Sequence, residues 1–281
     1  MLLIQNLNLP AEATAVITGL QGLVNQAANY PDRVAKAHTL WDSKNSTISK
    51  KSAFRTIRDT LSKMCVGSVR CSYCEDSLAD EVEHIAPKNL FPQHAFQWNN
   101  YLFACGPCNG PKSNRHGVVV GGVVQEFTRK KTDPIVPPPS GQFALINPRF
   151  EDPTLFLELD LGGVTPDGMV LDATFEFVVR EGLPPADSAR AEFTIAVLGL
   201  NREVIRAARE NAFGGFRARL REYVEARQAG FLQNERDALM RDILNTPHLT
   251  VFYEMRRQRS YLPQVDQFFS DAPEAIDWHL Y

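Results

Sequence analysis

No stretch of this 281-residue chain approaches the roughly 18 apolar residues that a membrane-spanning helix needs. Its opening residues, MLLIQNLNLPAEAT, lack the basic start and long apolar run of a secretory leader. Both absences point to a cytoplasmic protein that makes no membrane contact. Cysteine is scarce: five residues, an odd number that suits a disulfide framework poorly, with four of them in two C-x-x-C pairs. In a reducing compartment such pairs bind metal or carry redox chemistry. No G-x-x-x-x-G-K-[ST] motif occurs, so any ATPase working with this chain is a separate protein. Repeats and low-complexity tracts are also missing. What remains, 44% hydrophobic and 22% charged residues, is a globular composition that excludes a disordered tail, a collagen or a coiled-coil rod. The length suits one large domain or two.

No global charge announces a nucleic-acid partner: the net is −3 and the pI about 6.1. The distribution is more telling. Residues 41–132 hold 13 Lys and Arg against 8 Asp and Glu, whereas residues 133–281 hold 15 against 23. The basic surplus surrounds the cysteine pairs. It could hold phosphates by charge neutralisation, or it could be an ordinary solvated face. Lysine is absent beyond Lys131, for which we have no physical account.

Hydrophobic spacing predicts helices over 11–29 and 51–65, the second carrying Phe54, Ile57, Leu61 and Met64 on one face. GVVVGGVVQEF reads as a β-ribbon turning at Gly-Gly. TDPIVPPPSG, residues 132–141, is the clearest linker and sets the predicted domain boundary. Beyond it, strand-like runs at 154–161 and 169–180 flank the turn TPDG. Helices follow: one capped by Asp187 or Ser188, one capped by Asn201 and bent at Gly214-Gly215, and two more over 232–245 and 248–262.

The chemistry concentrates in residues 66–116. Cys71-Ser-Tyr-Cys74 and Cys105-Gly-Pro-Cys108 supply four thiolates at the spacing of a tetrahedral zinc site. Four sulfurs leave no open position, so the zinc is expected to be structural. Between and after the pairs stand Glu83-His84-Ile85 with Pro87 and Lys88, then Asn100, Asn109 and Lys112, with Arg115 nearby. Adjacent strand residues face opposite ways, so Glu83 and His84 can share a site only where the strand ends or bulges. Cys65, Trp98 and the remaining histidines read as packing or surface residues.

This segment resembles the HNH endonuclease family, whose ββα-metal motif is often clamped by a four-Cys zinc. The resemblance rests on Glu83-His84-Ile85, Pro87, Asn100 five residues before Cys105, Asn109 directly after Cys108, and Lys112. It implies an α+β fold: an HNH nuclease core with zinc knuckles in residues 1–131, then a mixed strand-then-helix region over 142–281. It also implies roles. His84 would be the general base; Glu83 and Asn109 would hold a catalytic Mg²⁺ or Mn²⁺, with Asp80 and Glu81 as alternative ligands. Asn100 would orient His84 or brace the hairpin, and Lys88, Lys112 and Arg115 would touch phosphate. The family usually has Asp at the position of Glu83.

Segments of the second half, such as LINPRFEDPTLFLELDLGG and VLGLNREVIRAAR, look like the HNH effectors of bacterial Septu-type and retron-associated antiphage systems, the PtuB-like proteins. That implies a nuclease cutting DNA, expected to be double-stranded, beside a separate ABC or SMC-like ATPase of PtuA type that residues 142–281 would dock. RNA cleavage stays open. A second class of reading, a non-catalytic zinc module binding nucleic acid or protein, accounts for the cysteines and the basic surplus but not for His84, Asn100 and Asn109.

Overall fold

Three helices open the chain in the computed structural model, which describes residues 1–280. The first, α1 (Ala11–Asn25), buries Ile17, Leu20 and Val24. The second, α2 (Tyr30–Asp42), is one the hydrophobic spacing did not predict. It starts on Asn29, whose Oδ1 accepts the Asp32 amide at 2.9 Å, and has Pro31 in its first turn. The third, α3 (Ile48–Lys63), is capped by Thr47 and buries the expected stripe of Phe54, Ile57 and Leu61.

The segment rich in polar groups then forms two short antiparallel strands, β1 (Glu81–His84) and β2 (Tyr101–Ala104), followed by the helix α4 (Gly106–Lys112). Pairing is regular, from Glu81 opposite Ala104 to His84 opposite Tyr101. The Gly/Val run is the ribbon that was expected, β3 (His116–Val120) and β4 (Val123–Phe127). It turns at Gly121 and Gly122, with φ of 60° and 81°, a tight turn that glycine enters without steric cost.

Residues 132–141 are irregular, as their prolines require, but they do not separate one core from another. The chain returns directly to β5 (Gln142–Phe143), which pairs with β3 from the near side of the linker. One apolar cluster runs from Met1 and Ile17 through Phe54 and Phe103 to Phe193, Phe252 and Trp278. The two predicted halves therefore share their interior.

The strand-like runs after the linker break into four short pieces: β6 (Leu157–Leu159), β7 (Gly163–Val164), β8 (Val170–Leu171) and β9 (Phe177–Val179). β6 pairs with β9, and β7 with β8. Gly162 causes the break. It has φ of 61°, and a Cβ there would stand 2.4 Å from the Leu171 carbonyl oxygen. The helix α5 (Pro185–Leu198) starts on Pro184 rather than on Asp187 or Ser188, and Gly199 ends it in the left-handed conformation.

Asn201 does not cap the next helix. Its amide instead brackets Phe177, accepting from the backbone N–H and donating to the carbonyl at 2.8 Å each. That helix, α6 (Glu203–Gln228), runs unbroken through Gly214-Gly215, because Phe216, Leu220 and Tyr223 are buried along it and outweigh the roughly 1 kcal/mol cost of each glycine. Three more helices complete the chain: α7 (Gln233–Leu244), α8 (Leu249–Arg257) and α9 (Pro263–Asp271). The predicted helix over 248–262 stops at Arg257, before a 3-10 turn and the proline that starts α9. Among the described residues no helix is long and apolar enough to cross a membrane.

Arg149 holds the strand pair to the rest of the protein. It is 2% exposed and donates to Asn6 Oδ1 at 2.7 Å, to the Tyr101 carbonyl at 3.0 Å and to the Trp98 carbonyl, with its guanidinium carbon 4.8 Å from the Trp98 ring centroid. Burial lowers its pKa to about 10, which leaves it cationic at neutral pH. Because three acceptors lose a charged donor together, Arg149→Ala is expected to cost about 2–4 kcal/mol in chemical denaturation. Lysine, lacking the planar fork, should not rescue it. A loss below about 1 kcal/mol would contradict this role.

Candidate functional site

The four cysteines converge from two turns. Cys71 and Cys74 lie in the turn before β1, Cys105 and Cys108 at the start of α4. Their sulfurs lie within 4.8 Å of one another, and all four residues are buried. Cys74 Sγ and Cys105 Sγ are 3.8 Å apart. Zn–S bonds of about 2.3 Å in a tetrahedron require an edge of about 3.8 Å, so the donor set fits zinc. A zinc held by all four sulfurs would have no open position, unlike a catalytic zinc.

Both turns are anchored from the far half of the chain. Arg202 donates to Cys108 Sγ at 3.4 Å and to the Pro107 carbonyl at 2.7 Å. Glu75, directly after Cys74 and at φ 62°, accepts the Thr250 amide at 3.0 Å and the Thr250 hydroxyl, and pairs with the Met1 ammonium at 2.6 Å.

The knot fixes the position of β1. Because β1 pairs only with β2 in a two-stranded sheet, its other edge is unpaired among the described residues. A cleft of about 320 Å³ runs along that edge, lined by Trp41, Glu83, His84, Lys88 and Asn109 among others. This geometry removes the expected conflict between neighbours. Glu83 and His84 sit at the end of a regular strand, where the sequence allowed neighbours to share a site, and both line one cleft. No bulge is needed.

His84 is 6% exposed. Its Nε2 lies 2.9 Å from the Ala95 carbonyl oxygen, an acceptor that also takes the Tyr101 hydroxyl at 2.8 Å. A carbonyl can only accept, so Nε2 carries the proton and Nδ1 keeps a lone pair. Burial, with Lys88 nearby, pushes the imidazole pKa down to about 3, so the ring is uncharged at neutral pH. Trp41 from α2 covers it, with ring centroids 4.3 Å apart. Lys44 and Lys88 stand over the same indole, at 4.9 Å and 5.8 Å from its centroid.

The Asn100 side chain makes no hydrogen bond to the His84 ring among the described residues. It clips the loop between the strands, accepting the Ala86 amide at 2.7 Å and donating to the Ala86 and His94 carbonyls. Asn109 donates to Glu81 Oε2 at 2.6 Å. Of the two carboxylates on that face of β1, Glu81 is therefore the one beside Asn109. Glu83 pairs with Lys112 Nζ at 2.5 Å, and burial raises its pKa against the pull of that ammonium.

Lys112, expected to reach phosphate, lies inside: it is 1% exposed, and it also donates to the His84 carbonyl at 2.9 Å. The helix is so short that its last residue falls back across the strand pair. Arg115 is bound to Glu126 by two hydrogen bonds of 2.6 and 3.0 Å on the β3–β4 ribbon. Of the three cations expected at phosphate, Lys88 alone lines the cleft. Cys65 is a buried residue whose thiol burial pushes up to about 11, and His116 packs between Phe91 and Phe143, both as packing readings expect.

Similarity to known proteins is local. The chain is 42% identical over 48 residues to the Septu protein PtuB of Bacillus thuringiensis, a match covering 15% of this chain and 19% of that protein. The match therefore spans about a fifth of the relative's length. No family model matches the chain. No solved structure matches it either.

Sequence reasoning missed Trp41 because it missed α2, placed Lys44 only within the basic surplus around the cysteines, and missed Arg202 because nothing in its sequence surroundings ties it to a cysteine. The buried ion pair yields a sharp expectation. Lys112→Gln strands a buried carboxylate and should cost about 3–5 kcal/mol in thermal or chemical unfolding. The double variant Glu83→Gln/Lys112→Met should recover much of that loss. A lysine serving only an external phosphate would cost within about 0.5 kcal/mol.

Proposed function

We propose that the protein is a metal-dependent endonuclease hydrolysing DNA phosphodiester bonds, with the cleft along the free edge of β1 as its active site. One observation carries the reading: a neutral histidine, with its tautomer fixed by a backbone carbonyl, faces a cleft shared with Lys88, Glu83 and Asn109, against a four-sulfur knot. Two strands followed by a helix, with one cysteine pair on each side of the strand pair, is the order the HNH resemblance calls for.

In this account His84 Nδ1 takes the proton of the water that attacks phosphorus. The arriving phosphate anion favours the protonated ring and so offsets the low pKa of the free site. Lys88 faces the phosphate oxygens as a point charge. Asn109, which lines the cleft and the hollow beside it, and Glu81, its hydrogen-bond partner on the side of that hollow, would be the oxygen donors for a Mg²⁺ or Mn²⁺ ion, with Asp80 lining the same hollow and Glu83 tied to Lys112. Bound there, a divalent ion supplies charge stabilisation to the phosphate and the departing 3′ oxygen. Asn100 acts through the loop it clips, not on the reacting atoms.

The local similarity to a Septu PtuB protein supports a role in antiphage defence, beside a separate ATPase of PtuA type. The C-terminal helices offer the surface for such a partner.

The test is nicking of supercoiled plasmid by purified protein with Mg²⁺ or Mn²⁺. Wild type should convert supercoiled DNA to nicked and linear forms. His84→Ala should be slower by about 100-fold or more, with zinc content unchanged and the fold retained. Equal rates would remove His84 from the chemistry. Plasmid left intact by wild type while the chain binds it would favour the non-catalytic zinc module.

A further inference from the structure

The chain's positive charge is concentrated where the motif residues are not. Between positions 44 and 63 stand Lys44, Lys50, Lys51, Arg55, Arg58 and Lys63, with Asp59 as the sole acidic residue. Most of them lie on α3, whose apolar stripe is spent on the core, so the basic face points outward. Lys51, Arg55 and Arg58 follow the i, i+4, i+7 spacing that lines up one helix face and spans about 10 Å along the axis.

A second hollow, of about 550 Å³, lies on this face and is lined by Lys44, Lys51, Arg55 and Arg58, and by Asp80 and Glu81 at the start of β1. It is continuous with the His84 cleft, since Trp41, Val82 and Asn109 line both. Among the described residues none of these four cations is in an ion pair with a carboxylate. Arg58 is held in place by the Asp80 carbonyl at 2.6 Å and stands over the Phe103 ring, and Lys44 stands over Trp41. Lys51 and Arg55 are exposed.

We propose that this groove holds the backbone of duplex DNA and leads it into the cleft. One strand of DNA carries a phosphate every 3.4 Å or so along the axis, so a stripe of unpaired cations about 10 Å long covers about three phosphates. The proposal rests on the nuclease reading for the direction in which the strand runs, but the binding surface can be tested without it.

The probe is a fluorescein-labelled duplex of about 24 base pairs, followed by anisotropy with zinc-loaded full-length protein and no added Mg²⁺ or Mn²⁺, from about 50 to 200 mM salt. Lys51→Gln/Arg55→Gln should weaken binding by at least about 10-fold at about 100 mM salt. It should also flatten the plot of log K against log salt by about 2, since each lost phosphate contact contributes about 0.9. A control double variant, Lys130→Gln/Lys131→Gln, removes the same charge just ahead of the linker and should leave the slope unchanged.

His84→Ala should bind the duplex with the wild-type slope. Equal losses in the groove and control variants would mean diffuse attraction and would overturn the groove. So would a slope unchanged by Lys51→Gln/Arg55→Gln, or displacement of the duplex by single-stranded DNA or duplex RNA at lower concentration than by unlabelled duplex. Binding lost in the groove variant from a wild type that cuts nothing would keep the groove and sink the nuclease. Binding unaffected in that variant while wild type nicks and His84→Ala does not would do the reverse.

Discussion

Four sulfurs drawn within 4.8 Å of one another out of water form the constraint on which the site depends. Thiolates so placed repel one another and are costly to bury unless a dication neutralises them, so a zinc ion held there would couple its binding to the folding of this region. The knot ties the turn before β1 to the start of α4. It thereby sets the separation of the strand pair and the helix, the free edge of β1 and the cleft along it. Arg202 and Thr250, both from the C-terminal half, reach back to the two turns, so the acidic half of the chain stabilises the site even though it contributes no residue to the cleft.

Burial sorts the cations into two kinds. Lys112, Arg149 and Arg209 are inside, donating to backbone carbonyls, and Lys112 also to a carboxylate; their removal leaves buried acceptors without partners. Lys44, Lys51, Arg55 and Lys88 border open hollows and, among the described residues, stand in no ion pair. The first kind acts on stability, the second on whatever anion arrives. A lysine close to a motif in sequence can belong to either, and only the path of the chain decides.

That sorting also explains what could be read from the sequence. The C-x-x-C pairs, the Gly-Gly ribbon and the buried face of α3 were legible because each depends on local spacing alone. α2 was not, although Asn29 with Pro31, followed by Val34, Ala37 and Leu40, carried the signal of a capped helix. The conflict between Glu83 and His84 was resolvable in outline, since β1 does end at His84, but the cleft that both line follows from which edge of β1 is left unpaired. The fate of Lys112 depends on α4 folding back over the strands, and that of Gly214-Gly215 on packing from distant Phe252. Such tertiary facts override local preference.

The most direct test of the account is nitrogen-15 NMR of the histidine rings in zinc-loaded protein across neutral pH, repeated after chelation of the zinc. The account predicts that His84 stays neutral over this range with its proton on Nε2, and that this signature disappears when the metal is stripped and β1 loses its support. A His84 ring that titrates near the ordinary value of about 6.5, or one indifferent to zinc removal, would contradict it.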